Sequence, residues 1–159
     1  MSKKQNIGKV FEAEFKDSVP PDYYWYRLKD MPKEYRGADN PCDYFLYREP
    51  YLFMVELKSH KGKSLPIAKI RDSQIKGMNA AHYRPGIYAG FIINFRDLEE
   101  TYWVSVDEVK RFIDAGKRKS IPVSWCREYG TLIPQFKKRI RYRYELTDWL
   151  GRYYGSCKQ

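Results

Sequence analysis

One acidic pair in the sequence has a spacing suited to metal-assisted chemistry: Asp43, twelve intervening residues, Glu56, and then Lys58. Residues 43–47 and 51–58 are aromatic and apolar, with Arg48, Glu49 and Pro50 between them, which predicts a β-hairpin. A tight turn centred on Glu49 and Pro50 places Asp43 opposite Glu56, with Lys58 on the same face. Opposed carboxylates on a half-buried sheet repel each other, so the arrangement calls for a cation, either the Lys58 ammonium or a divalent metal. Proline is disfavoured at the second central position of a type I turn, and a bulge there would shift the pairing and turn Asp43 off the face. Alternation along the strand puts Leu52 and Met54 on the acidic side and Phe53 and Val55 toward the core. The plain alternative is an Asp at a strand start beside an exposed Glu/Lys pair, a pattern frequent by chance.

Other residues converge on the same chemistry. Glu12 flanks the apolar stripe of Phe11 and Phe15 on a predicted helix, where it can face a neighbouring sheet. Gln74, on a second helix, can orient a water or a phosphate without adding charge. Residues 59–64 offer Ser59, Lys61, Lys63 and Ser64, the residue types that contact phosphate oxygens.

The elements that must position these side chains follow from periodicity. A helix is predicted over 7–19, stopped by Pro20 and Pro21, then a strand over 23–28 and a loop through 41. After the hairpin and a basic connection, residues 67–83 read as a helix with Ile67, Ile70, Ile75 and Met78 on its apolar face. Residues 86–95 form a hydrophobic run typical of a central strand, and 101–106 form another strand. Asp107 is the expected N-cap of a helix over 108–115, with Gly116 as its stop. Further on, 125–133 is mixed, 135–146 reads as a strand and 147–154 as a short helix. This order implies an α/β fold in which a mixed sheet carries helices on its faces.

With these residues placed, the strings G-K-V-F-E (8–12), C-D-Y (42–44), E-L-K-S (56–59) and S-Q-I-K-G-M (73–78) resemble the PD-(D/E)xK nucleases. Within that superfamily they are most similar to RecU-type Holliday junction resolvases, including phage-borne relatives, and more distantly to the archaeal resolvases. The resemblance spans about residues 7–106. It implies a restriction-endonuclease-like core, a central mixed β-sheet flanked by α-helices, in a single nuclease domain over 1–159 with an extension from about 107. It also implies that Asp43 and Glu56 ligate Mg²⁺ or Mn²⁺, with the Leu57 carbonyl as a further donor and Glu12 completing the metal site. Lys58 would position the attacking water or stabilise the pentacovalent phosphate, and Gln74 would help orient the nucleophile. Hard oxygen ligands, a metal that acidifies its water and a nearby cation suit phosphodiester hydrolysis.

The sequence also departs from that pattern. Glu12 and Asp43 stand close together in the chain, leaving no room for the projecting stalk common in RecU-type proteins, and the basic arm is confined to residues 2–9. Residues 29–40 are then the candidates for holding a junction crossover, and Cys42 stands where a small hydroxyl residue is frequent.

Composition supports a polyanionic partner. The chain has 159 residues, 43% hydrophobic, with a formal net charge of +10, which favours nucleic acid over other partners. Lys3, Lys4 and Lys9, the 59–63 connection, and Lys137, Arg139 and Arg141 are the candidate DNA contacts; the last two lie with Arg143 on one face of the predicted 135–146 strand. A charge-protected edge strand explains that stripe equally well. No membrane span or signal peptide is expected, so the expected location is cytoplasmic, in a bacterial or phage-infected cell. Cys42, Cys126 and Cys157 form neither a disulfide framework nor a zinc site, and His60 and His82 are too isolated to bind metal. Gly62, Lys63 and Ser64 mimic the end of a Walker A loop, but Leu57 stands where its first glycine belongs, so no nucleotide cofactor is expected.

The leading expectation is a Mg²⁺-dependent endonuclease that resolves four-way DNA junctions as a homodimer, whose two-fold axis relates two active sites. Another PD-(D/E)xK nuclease, exonucleolytic or nicking, and a non-enzymatic DNA-binding protein are the competing readings.

Overall fold

The computed structural model describes residues 6–32, Glu34, 39–147 and Trp149. The chain runs α1 (Ile7–Lys16), β1 (Tyr24–Arg27), β2 (Tyr44–Arg48), β3 (Tyr51–His60), β4 (Ser64–Pro66), α2 (Asp72–His82), β5 (Ile87–Phe95) and β6 (Glu100–Ser105). It continues through α3 (Val106–Asp114), β7 (Ser120–Pro122), α4 (Val123–Tyr129), β8 (Thr131–Leu132), β9 (Gln135–Lys138) and β10 (Arg141–Tyr144). Six strands form one mixed sheet in the order β1-β2-β3-β5-β6-β8, parallel only at β3–β5, where α2 provides the crossover. This is the expected α/β architecture.

Both faces of the sheet are covered, so Met54, on the acidic side of β3, is buried as Phe53 and Val55 are. Phe53 and Val55 pack with Phe11 and Phe15 of α1, and Met54 packs with Ile75 and Met78 of α2. Each fully buried Phe contributes about 2–3 kcal/mol. A strand sandwiched in this way reads as continuous apolar sequence and not as alternation.

Several boundaries also differ. Helix α1 stops at Lys16, and Asn6 caps it by accepting from the amides of Gly8 and Lys9. The predicted 67–83 helix is broken: Ile67–Lys69 is a 3₁₀ turn, Ile70 is extended, and α2 begins at Asp72. Asp107 lies inside the first turn of α3 and Ser105 holds the cap position, while Gly116, at φ 64°, ends the helix as expected. Residues 135–146 form a hairpin, β9–β10, and not one strand, because Arg139 takes a left-handed φ of 55° at the reversal. Leu146, Thr147 and Trp149 are helical, and the rest of the predicted 147–154 helix lies outside the described residues.

The β9–β10 hairpin is locked to α1 by a buried ion pair that the sequence reading missed. Arg96 donates to both carboxylate oxygens of Glu14, at 2.6 and 2.8 Å, and the Tyr142 amide and Tyr144 hydroxyl also donate to Glu14, each at 3.1 Å. Burial pushes the Glu14 carboxyl up, but Arg96 and the other donors outweigh it and hold it below the ordinary carboxylate range.

Candidate active site

The β2–β3 hairpin puts its carboxylates at the end of the ladder. The turn carries a cis Glu49–Pro50 peptide, the isomer that accommodates proline at its second central position. The register Tyr44↔Val55 through Arg48↔Tyr51 is the expected one and brings Asp43 level with Glu56. At Asp43 the ladder gives way: its amide donates to the Val55 carbonyl at 3.0 Å, and its carboxylate accepts the Leu57 amide at 2.8 Å. Leu57 therefore reaches Asp43 through its N–H.

Glu56 is 3% exposed, on the α2 side of the sheet beside its parallel partner Phe91. Two donors converge on its Oε1: the Lys58 ammonium at 2.8 Å and the Gln74 side-chain amide at 2.5 Å. Oε2 accepts no hydrogen bond among the described residues. Gln74 is buried, and its own carbonyl oxygen accepts the Arg71 amide at 3.1 Å at the start of α2. Both ends of Gln74 are thus engaged, which aims the Glu56 carboxylate. Close approach brings α2 to this position: a Cβ on Gly77 would lie 2.7 Å from Pro41, just before the Asp43 segment.

The electrostatics show two carboxylates short of positive charge. Burial, then the Asp43 charge, push the Glu56 carboxyl up to about 7 against the pull of Lys58. Burial also raises Asp43, with Glu12 adding to it and the Leu57 amide and Lys58 opposing it. The same field helps hold the buried Cys42 thiol at about 12, so Cys42 is inert packing.

Glu12 reaches the edge of this site from α1, but Arg27 of β1 forms an ion pair with it and the Tyr44 hydroxyl donates to it at 3.2 Å. Among the described residues, no group of three or more Asp, Glu, His or Cys stands ready to hold a metal. The set nevertheless fits a hard divalent cation. Asp43 and Glu56 supply two oxygen donors whose repulsion such a cation would relieve, and Mg²⁺ commonly takes one or two carboxylates, with water and phosphate oxygens filling its shell.

The predicted DNA contacts separate. Lys9 is exposed beside Glu12, and Lys61 and Lys63 are exposed beyond β3. Ser59 points to the opposite face from Lys58 and donates to Asn94 at 2.9 Å, which corrects its assignment as a phosphate contact. Lys137, Arg139 and Arg141 are exposed on the β9–β10 hairpin, but with Arg139 in its turn they do not form the single-strand stripe expected. Lys3 and Lys4 lie outside the described residues. A surface cavity of about 470 Å³ between α3 and α4 contains none of the predicted site residues.

Residues 26–148 match the family Recombination protein U, RecU. The chain belongs to the RecU family. The match takes in Asp43, Glu56, Lys58 and Gln74, leaves Glu12 outside it, and runs well past residue 106, where the local motifs end. The chain is also 34% identical over 167 residues to the SPbeta prophage-derived uncharacterized protein YotM of Bacillus subtilis (strain 168), covering 92% of this chain and 86% of that protein. In fold it resembles Hjc of Archaeoglobus fulgidus, a Holliday junction resolvase, with a TM-score of 0.50 at 13% identity over 78% of this chain and 87% of that one. This RecU-family chain thus has a resolvase-type fold, and no described helix is long and apolar enough to cross a membrane.

Proposed function

We propose that this RecU-family protein is a divalent-metal-dependent endonuclease that resolves Holliday junctions, with Asp43, Glu56 and Lys58 at its reactive centre. The carrying observation is the buried Glu56, whose Oε1 is fixed by Lys58 and Gln74 and whose strand position is level with Asp43 across the hairpin. Family membership and the resolvase fold support the substrate class.

Asp43 and Glu56 would hold Mg²⁺ or Mn²⁺, with the Leu57 carbonyl as a further donor, and the bound ion supplies an acidified water and neutralises phosphate charge. Asp43 is oriented for this by the Leu57 amide, and Glu56 by Gln74. Lys58 Nζ is part-buried against Glu56, where its fixed positive charge faces negative charge growing on the phosphorus substituents. Water adds to phosphorus, one phosphorus–oxygen bond breaks, and the departing oxygen leaves with a proton. Two symmetric nicks require two such centres, which a C2 homodimer provides. Lys9, Lys61 and Lys63, all exposed, would contact the DNA backbone.

Cleavage of a labelled four-way junction tests the reading, with Mg²⁺, with EDTA and with Asp43→Asn in parallel. Paired nicks should appear only for the unaltered protein with metal, while Asp43→Asn keeps junction affinity. Cutting of plain duplex with intact junctions would leave a nuclease of another specificity. Unchanged behaviour of Asp43→Asn would leave a DNA-binding protein.

A further inference from the structure

The catalytic strand is tied to a second basic segment that no sequence motif marks. Beyond Lys58, β3 ends at His60, residues 61–63 turn, and β4 pairs antiparallel with β7 through Ser64↔Pro122, Leu65↔Ile121 and Pro66↔Ser120. Leu65 and Ile121, at the middle of this ladder, are fully buried in the cluster that contains Met54 and Phe91. Backbone bonds close both ends: the Val123 amide donates to the Lys63 carbonyl at 2.9 Å, and the Ile67 amide to the Lys119 carbonyl at 3.0 Å. The Lys69 ammonium lies 3.0 Å from His60 Nδ1, which ties the turn after β4 back to the end of β3. A continuous set of contacts thus runs from Glu56 and Lys58 through His60 and Lys69 to Lys119.

The charges along this path are arranged unlike those of the adjacent helix. On α3, Lys110 pairs with Asp114 at 2.5 Å, and Arg111 pairs with Asp107 and Glu108 at 3.0 and 2.9 Å. After Gly116 the chain presents Lys117, Arg118 and Lys119, all exposed and none with an acidic partner among the described residues. Lys61 and Lys63, at the other end of the ladder, are exposed and unpaired in the same way. Lys63 and Lys119 flank the ladder one residue beyond each end, four strand steps or roughly 13 Å apart, which matches phosphates about four positions apart along one strand at about 3.4 Å of axis each. Anchoring in the core keeps this spacing fixed, whereas a free basic tail would hold no particular register.

We propose that the α3–β7 loop, Lys117 to Lys119, is a second DNA-backbone clamp, held in register with the Glu56–Lys58 centre by the β4–β7 ladder. It rests on the nuclease reading for the identity of the DNA but not for the contact itself. The loop would position the phosphodiester and take no part in its hydrolysis, so substrate affinity should depend on it and the rate of the bound complex should not.

The test compares the full chain with K117A/R118A/K119A and with a charge-matched control, K76A/R84A/K138A, three exposed cations outside the candidate DNA contacts. Junction affinity is measured from 50 to 300 mM salt, together with single-turnover cleavage at saturating protein. The loop variant should bind at least about tenfold more weakly at low salt, with a salt slope shallower by about 2 to 3, and should cleave at an unchanged saturated rate. The control should lose less on both binding measures. Equal losses in the two variants, or an unchanged salt slope in the loop variant, would overturn the clamp while leaving the nuclease intact. DNA binding without junction cleavage by the unaltered protein would overturn the nuclease reading, and the slope comparison would still decide the clamp. An unaltered protein that binds no DNA overturns both.

Discussion

Gln74 and Glu56 meet in a buried hydrogen bond of 2.5 Å, on the same carboxylate oxygen that Lys58 approaches at 2.8 Å. Gln74 therefore acts through Glu56 by fixing its rotamer. Gln74→Ala should lower metal affinity and cleavage about 10- to 100-fold, as loss of a ligand-orienting partner typically does. It should also cost on the order of 1–3 kcal/mol of stability, because Glu56 loses a buried donor. Metal titration and urea unfolding read the two effects separately. An unchanged metal affinity with reduced cleavage would instead place Gln74 on the nucleophile.

The Glu56 carboxyl, pushed up to about 7 by burial and by Asp43, makes metal-free stability depend on pH in an unusual direction. A raised folded-state value means that the folded protein binds the proton more tightly than the unfolded chain. The associated stability is fully present below about 4.5, the ordinary value, and is lost as pH rises through about 7. The urea midpoint of metal-free protein should therefore fall between pH 5 and 8, and Glu56→Gln should remove that fall. Saturating Mg²⁺ should reverse the trend, since metal affinity rises as the proton leaves. A midpoint rising with pH in metal-free protein would contradict the burial of an uncompensated Glu56.

Much of this was legible in the sequence. The candidate residues Asp43, Glu56 and Lys58 stood out by type and spacing, and a tight turn centred on Glu49 and Pro50 predicted the pairing that brings Asp43 level with Glu56, although proline at that turn position argued for a bulge. The partners of Gln74 and Ser59 were not legible, because each depends on which neighbour its side chain reaches. Gln74 is claimed at both ends by Glu56 and Arg71, and Ser59 alternates onto the Asn94 face. The β9–β10 hairpin was missed because its reversal uses Arg139 at a positive φ and no glycine or asparagine marks the site. Glu14 and Arg96 were missed because their 82-position separation leaves no local signal; only an unpaired acid inside the apolar stripe of α1 hinted at a buried partner.

That buried pair carries a prediction about stability alone. Arg96→Ala leaves Glu14, which is fully buried, without its main partner and should destabilise the protein by about 3 kcal/mol. Replacing both with apolar residues, Glu14→Leu with Arg96→Met, should recover much of the loss, because no uncompensated charge then remains. Since Glu14 titrates below the ordinary range, the pair's contribution is present above about 4.5 and fades as pH falls through the depressed value. Urea unfolding at pH 7 and pH 3 should show the Arg96→Ala penalty shrinking in acid. A penalty equal at both values would assign Arg96 a packing role only.

Arg27 and Glu12 form the remaining ion pair at the site, and it sets how many carboxylates a cation meets. Glu12 is held by Arg27 and by the Tyr44 hydroxyl, and Arg27 also favours the charged form of Asp43. The guanidinium thus acts as a positive charge already in place, competing with a metal for the acidic field. Arg27→Ala should release Glu12 toward Asp43 and tighten Mn²⁺ binding on the order of two- to fivefold, the range expected for a part-exposed pair. Adding Glu12→Gln should cancel that gain, giving a non-additive double-mutant cycle. Calorimetric titration without DNA checks this independently of cleavage. Weaker Mn²⁺ binding by Arg27→Ala would mean that Arg27 orients Glu12 as a metal ligand and does not hold it away.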